Sequence, residues 1–194
     1  MQVVDFYFDF RSPYSYLANS QLRAMGVAPR YKPMDVLAVM QQVGNTPTTV
    51  VCAVKGRYAR ADLQRWASRY AVPFQRPKDP KAIDARRLLR AVLRAVDLGL
   101  GSEVVDAIFS ARWARGAPLG TLDDLGQALT TAGVEPSFIV ADVDDDGLDR
   151  RLTKATRAAG EEGVFGAPTF IVDGEMFFGN DRLDFLREYL EKKK

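Results

Sequence analysis

Ser12-Pro13-Tyr14-Ser15 stands where a strongly apolar segment, residues 3–10, gives way to a helical pattern. Ser12 suits a helix N-cap and Pro13 the first helical position, which is the ordinary reading of Ser-Pro. The four-residue spacing also occupies the place where thioredoxin-like redox proteins carry Cys-x-x-Cys. Both cysteines are missing, so dithiol exchange is excluded at this point. What remains is a hydroxyl at a helix N-terminus, where unpaired amides and the helix dipole favour an anion. Such a hydroxyl can donate to a thiolate, but the thiol has to arrive with a ligand, for which glutathione is the obvious candidate. The chain contains no histidine. That rules out Ser-His-Asp and Cys-His catalysis and disfavours most zinc sites.

Four further segments carry polar groups in suggestive settings. Gly44-Asn45-Thr46-Pro47 reads as a turn, and Lys55-Gly56-Arg57-Tyr58 as a basic surface loop. In Val164-Phe165-Gly166-Ala167-Pro168-Thr169 a proline immediately precedes a late strand. It is either a trans proline opening an edge strand or a cis proline that exposes the N–H and C=O of Ala167. Phe178-Gly179-Asn180-Asp181-Arg182 opens the last helix, with Asn180 and Asp181 as its caps. The single cysteine, Cys52, lies among Val50, Val51, Ala53 and Val54 and reads as a buried apolar residue. Asp142, Asp144, Asp145 and Asp146 lack the rest of a calcium loop and read as solvated charge at a helix start. Trp66 reads as core.

These groups need a scaffold, and the sequence outlines one. Residues 3–10 form a strand buried on both faces, a helix runs from Ser15 to about Met25, and residues 29–33 form a second strand. The middle is helical: residues 80–98 with an arginine face of Arg86, Arg87, Arg90 and Arg94, a helix from Ser102, one capped by Thr121 and Asp124 and ending at Gly133, and one over residues 147–159. Strands at 167–172 and 175–178 flank an Asp173-Gly174 hairpin turn, and a helix with Leu183, Leu186 and Leu190 on one face closes the chain. Lys192-Lys193-Lys194 suits the last turn of that helix. The expectation is an α/β protein, a thioredoxin-like fold interrupted by an all-helical insertion. Residues 1–35 and 160–194 would form the thioredoxin-like domain and residues 36–159 the insertion.

The chain's 194 residues carry 47% hydrophobic and 27% charged residues and a net charge of +2, as in a soluble globular protein. That balance calls for neither nucleic acid nor a membrane span. No signal peptide is recognisable, and one cysteine permits a reducing compartment, so the expected location is cytoplasmic.

The stretch Asp9-Phe10-Arg11-Ser12-Pro13-Tyr14-Ser15-Tyr16-Leu17-Ala18 resembles the opening motif of the 2-hydroxychromene-2-carboxylate isomerase family, related to the kappa-class glutathione transferases. Asp62-Leu63-Gln64-Arg65-Trp66 is also similar to the isomerases. The resemblance spans essentially the whole chain and implies glutathione as cofactor and a small aromatic substrate. It implies that Ser12 contacts the glutathione sulfur, and that Ala167 and Pro168 pair with its cysteinyl part. Lys55 would lie near glutathione, and Phe178, Gly179, Asn180 and Asp181 at its γ-glutamyl end. Asn45, Thr46 and Pro47 would face the substrate. Arg11 replaces an apolar residue of the naphthalene-pathway enzymes and would suit a substrate carboxylate. The implied reaction interconverts 2-hydroxychromene-2-carboxylate and trans-o-hydroxybenzylidenepyruvate, or related intermediates, in a homodimer. The alternatives are a kappa-type transferase and a non-catalytic thioredoxin-like binding module.

Overall fold

Asp5–Phe8 forms the central strand β1 of a four-stranded sheet, and all four of its residues are buried. The computed structural model describes residues 2–193. Helix α1, Pro13–Ala24, returns the chain so that β2, Arg30–Pro33, pairs parallel to β1, with Asp5 opposite Arg30 and Phe8 opposite Pro33. On the other side of β1, strand β3, Thr169–Val172, pairs antiparallel, with Phe6 opposite Phe170. Strand β4, Glu175–Phe178, completes the order β2-β1-β3-β4. The β3–β4 turn has positive φ at both Asp173 (50°) and Gly174 (84°), the geometry whose twist matches antiparallel strands.

Between β2 and β3 the described chain is helical apart from its connections. Helices α2 (Val36–Gln42), α3 (Thr48–Val51) and α4 (Ala53–Arg69) come first. Next are α5 (Ala85–Asp97), α6 (Gly101–Phe109) running into a π-helical turn at Ser110–Ala114, and α7 (Leu122–Thr131). Helices α8 (Ser137–Val140) and α9 (Asp146–Glu161) complete the block, and α10 (Leu183–Lys192) follows β4. This is the α/β arrangement expected of a thioredoxin-like fold with a helical insertion. Alternation along β1 divides the core. Phe6 and Phe8 join Phe10, Phe109, Phe170 and the apolar faces of α1, α5 and α6. Tyr7 turns the other way, toward Met34, Val36, Val39, Ala159 and Val164 beneath α2 and α9.

Several local expectations change. The strand ends at Phe8 because Asp9 and Phe10 leave the ladder: the Ser12 N–H donates to the Asp9 carbonyl, and Trp113 Nε1 donates to the Phe10 carbonyl at 2.9 Å. The helix expected from residue 80 starts at Ala85, since Asp84 caps it through the Arg87 N–H while Ile83 bridges to Leu119. Lys55 to Tyr58 belongs to α4 and not to a loop. That helix buries only Leu63 and Ala67, so its apolar stripe is faint. The acidic run is not merely solvated. Asp142 meets Arg94, Asp144 meets Arg87 and Arg90, and Asp149 meets Arg86 and Arg90, which ties α5 to the start of α9. Cys52 is half-buried at the α3–α4 junction, beside the exposed Val50, Val51 and Val54, because these four-residue and seventeen-residue helices turn that segment away from the core. The expected Lys192–Lys194 ending holds Lys192 in the last turn of α10, while Lys194 lies outside the described residues.

Arg112, in the π-helical turn, is buried and makes no ion pair among the described residues. Its guanidinium donates to the carbonyls of Pro80, Ala82 and Ala117 at 2.7, 3.1 and 3.3 Å. Arg112→Met should strand these acceptors and lower the unfolding free energy by about 1–3 kcal/mol. Urea denaturation would measure the loss; an unchanged midpoint would mean that water replaces the guanidinium freely.

Candidate functional site

The sheet delivers the Ser12 turn and the segment before β3 to the same end of the fold. Ser12 is the N-cap of α1, with extended backbone, and its Oγ accepts from the Ser15 N–H at 3.2 Å. The same hydroxyl donates to the carbonyl of Ala167, also at 3.2 Å. The Ala167–Pro168 peptide bond is cis. Two residues 155 positions apart therefore meet across the β1–β3 pairing, while the Ala167 N–H makes no hydrogen bond among the described residues.

The Asn45 turn joins this pair from the far end of α2. Asn45 Nδ2 donates to the Phe165 carbonyl at 2.7 Å, and its Oδ1 accepts from the Thr46 N–H at 2.8 Å. Pro47 precedes α3 and accepts the N–H groups of Val50 and Val51. Phe165 packs on Phe178 with ring centroids 4.5 Å apart. Gly166 is required beneath that pair, since a Cβ there would come within 2.8 Å of the Phe178 ring. The Gly179 N–H donates to the Pro168 carbonyl at 2.9 Å, and its φ of 102° favours glycine.

Asn180 and Asp181 lie in a short 3-10 turn, Asn180–Arg182, that packs against α1. Neither side chain caps a helix. Asn180 is buried with its carbonyl accepting from Tyr70 Oη at 3.1 Å, and Asp181 is exposed beside Arg182. The capping expectation fails because Gly179 takes the N-cap position and the chain tightens into a 3-10 turn before α10. Lys55 is exposed in the first turn of α4. Two turns further on, Asp62 accepts from Tyr14 Oη at 2.9 Å, which fastens α4 to α1. Burial first, and then the Asp62 carboxylate, push the Tyr14 phenol well above its ordinary value, so it stays protonated. Trp66 is half-buried against the main core.

Arg11 does not point freely into this region. Its Nη2 lies 2.5 Å from both Asp9 and Asp35. The Asp9 contact spans two residues and lies within the local pattern, whereas the Asp35 contact spans 24 and does not. Burial pushes the Asp35 carboxyl up, but the Arg11 guanidinium, the Ala38 N–H and Arg86 together hold it below its ordinary value of 3.8. The arrangement supplies a hydroxyl at a helix N-terminus, an unpaired backbone N–H and an adjoining carbonyl within one cluster. That set suits a thiolate attached to a peptide.

The family model for the DSBA-like thioredoxin domain matches residues 3–191. The chain is similar to a 2-hydroxychromene-2-carboxylate isomerase of Pseudomonas sp. (strain C18), with 35% identity over 191 residues, 95% of this chain and 88% of that protein. It is 28% identical to glutathione S-transferase kappa 1 of Caenorhabditis elegans, over 97% of this chain and 91% of that one. A solved 2-hydroxychromene-2-carboxylate isomerase structure superposes with a TM-score of 0.86 at 32% identity, covering 98% of this chain and 95% of the other.

A carboxylate with a depressed folded-state value contributes stability that is complete above its unfolded value and lost as pH falls through the folded one. For Asp35 the loss should therefore begin near pH 4 and deepen below it. Asp35→Asn, which keeps a capping oxygen, should flatten that part of the profile in urea titrations between pH 2.5 and 6. An unaltered slope would show that Asp35 does not carry it.

Proposed function

The chain belongs to the 2-hydroxychromene-2-carboxylate isomerase family of DSBA-like thioredoxin domains, and on that premise we propose that it is a glutathione-dependent isomerase. Its substrate pair is 2-hydroxychromene-2-carboxylate and trans-o-hydroxybenzylidenepyruvate, or a related intermediate of aromatic degradation. The observation that carries this reading is the Ser12 hydroxyl at the start of α1, 3.2 Å from the Ala167 carbonyl, in a chain similar to such isomerases over nearly its full length. The protein acts as a cytoplasmic homodimer in this reading, as the family resemblance implies.

The residues present fit glutathione. When bound, it would supply a thiolate nucleophile for reversible addition to a conjugated carbon of the substrate. Ser12 holds the sulfur in its ionised form by donating its one proton, with the α1 dipole adding to the effect. That donation releases the Ala167 carbonyl, since a hydroxyl has a single proton to give. The freed carbonyl and the unpaired Ala167 N–H, beside Pro168, then form the two halves of an antiparallel pairing with a cysteinyl backbone. Phe178 and Gly179 wall the γ-glutamyl end. Asn180 shapes the turn there, Asp181 faces an ammonium, and Lys55 pairs with a carboxylate. Asn45, Thr46 and Pro47 line the substrate side.

A kappa-type transferase is the second reading, favoured by the similarity to the nematode transferase. Fate of the cofactor separates the two. Absorbance of 2-hydroxychromene-2-carboxylate should relax to equilibrium only when glutathione is added, with thiol titration recovering all of it. Consumption of glutathione in step with substrate would favour the transferase, and relaxation at the same rate without glutathione would remove the cofactor from the reading.

Ser12→Ala removes the one side-chain donor assigned to the sulfur. It should lower kcat on the order of 100-fold and raise the pKa of the bound thiol, read from thiolate absorbance. Unchanged values of both would dismiss Ser12 from its role.

A further inference from the structure

Arg11 links the two halves of the site through buried charge. Its backbone N–H and Nε donate to Asp9 Oδ1 at 2.8 and 3.0 Å, and Nη2 reaches Asp9 Oδ2 and Asp35 Oδ1 at 2.5 Å each. The Asp9 side chain is fully buried and also accepts the Val36 N–H, the first of α2, at 3.0 Å. Asp35 caps the same helix through the N–H groups of Leu37 and Ala38. Helix α2 ends at Gln42, three residues before Asn45, which holds the Phe165 carbonyl. A closed circuit results. Ser12 touches Ala167, Phe165 touches Asn45, Asn45 leads back along α2 to Asp35, and Asp35 returns through Arg11 to Ser12.

The charge count argues against a substrate carboxylate binding at Arg11. Asp9 and Asp35 outnumber its single cation, and Arg86, 3.6 Å from Asp35, is shared with Asp149 at 2.9 Å. An incoming anion would meet no net positive field and would compete with carboxylates already in contact. The bidentate grip on Asp9 instead fixes the turn one residue before Ser12, a use for which a planar guanidinium is better shaped than an ammonium.

We propose that Arg11 is a positioning residue, an ionic clamp that keeps the Ser12 turn and the α2–Asn45 segment in register, and is not a ligand for the substrate. The kinetic part rests on the isomerase reading above; the structural part does not. Arg11→Leu should leave KM for the chromene acid within about threefold, while kcat falls on the order of 10- to 100-fold, as expected when reacting groups drift by about 1 Å. The pKa of the bound glutathione thiol should rise, and Arg11→Lys should recover part of both effects.

Hydrogen exchange of the ligand-free protein tests the clamp without any turnover. Amides over residues 9–16 and 36–47 should lose protection in Arg11→Leu, while those of β3 and β4 keep theirs. Should Arg11→Leu not fold, Asp35→Asn retains the helix cap and removes one arm of the clamp, with the same two segments loosening less. Unchanged protection in both segments overturns the clamp, whatever the enzyme catalyses. A KM raised more than tenfold with kcat intact overturns it in favour of a substrate anchor. Loosened segments in an active protein whose kcat and thiol pKa stay unchanged would make Arg11 a stabilising residue only and overturn the positioning role. Loss of protection in Arg11→Leu, together with a wild-type protein that shows no glutathione-dependent turnover, would uphold the clamp and reject the isomerase reading.

Discussion

A carboxylate buried where the chain leaves its central strand constrains much of what surrounds it. Asp9 is fully buried, and an unpaired charge there would cost several kcal/mol. It is satisfied by the Arg11 guanidinium and by the N–H groups of Arg11 and Val36. Each of those donors comes from a segment that must then be held in place. The turn carrying Ser12 cannot move without stranding Asp9, and neither can the start of α2. The site's geometry is thus a consequence of neutralising one buried charge as much as of placing one hydroxyl.

The sheet converts that local constraint into a meeting of distant segments. β1 pairs with β2 on one edge and β3 on the other, so the residues just beyond its end face those just before β3. The aromatic ring contacts of Phe6 with Phe8 and Phe170 stiffen the pairing from the main core. On the opposite face, Tyr7 and Val164 pack with residues from α2 and α9. The loop carrying Ala167 and Pro168 is consequently braced by the core behind it and by Asn45 in front.

The helical block is joined to itself differently. Helix α5 presents four arginines to carboxylates at the start of α9, and several of these pairs are partly exposed and screened by salt. Beneath them, Leu88, Leu89, Val92 and their neighbours on α6 and α7 form a continuous apolar interior with the sheet. The two regions share one core, and the Arg86–Asp35 contact ties α5 to the start of α2.

Sequence alone was sufficient wherever the controlling interaction spans a few residues. The Ser12 cap, the Thr121–Asp124 capping box, the Asp173-Gly174 turn and the order of the four strands with helices α1, α5, α6, α7, α9 and α10 all follow from local hydrogen bonding and hydrophobic period. The motifs around Ser12 and Asp62 also carried the family. Tertiary structure alone decided that Arg11 would bridge Asp9 to Asp35, that Asn45 would hold Phe165, and that the acidic run would meet α5. It also decided that α4 would be a helix despite its faint apolar stripe, and that Asn180 would be buried instead of capping. Charge and polar side chains have many equivalent partners in an unfolded chain. Which partner each one takes is set only when the sheet and core bring residues tens to more than a hundred positions apart within hydrogen-bond reach.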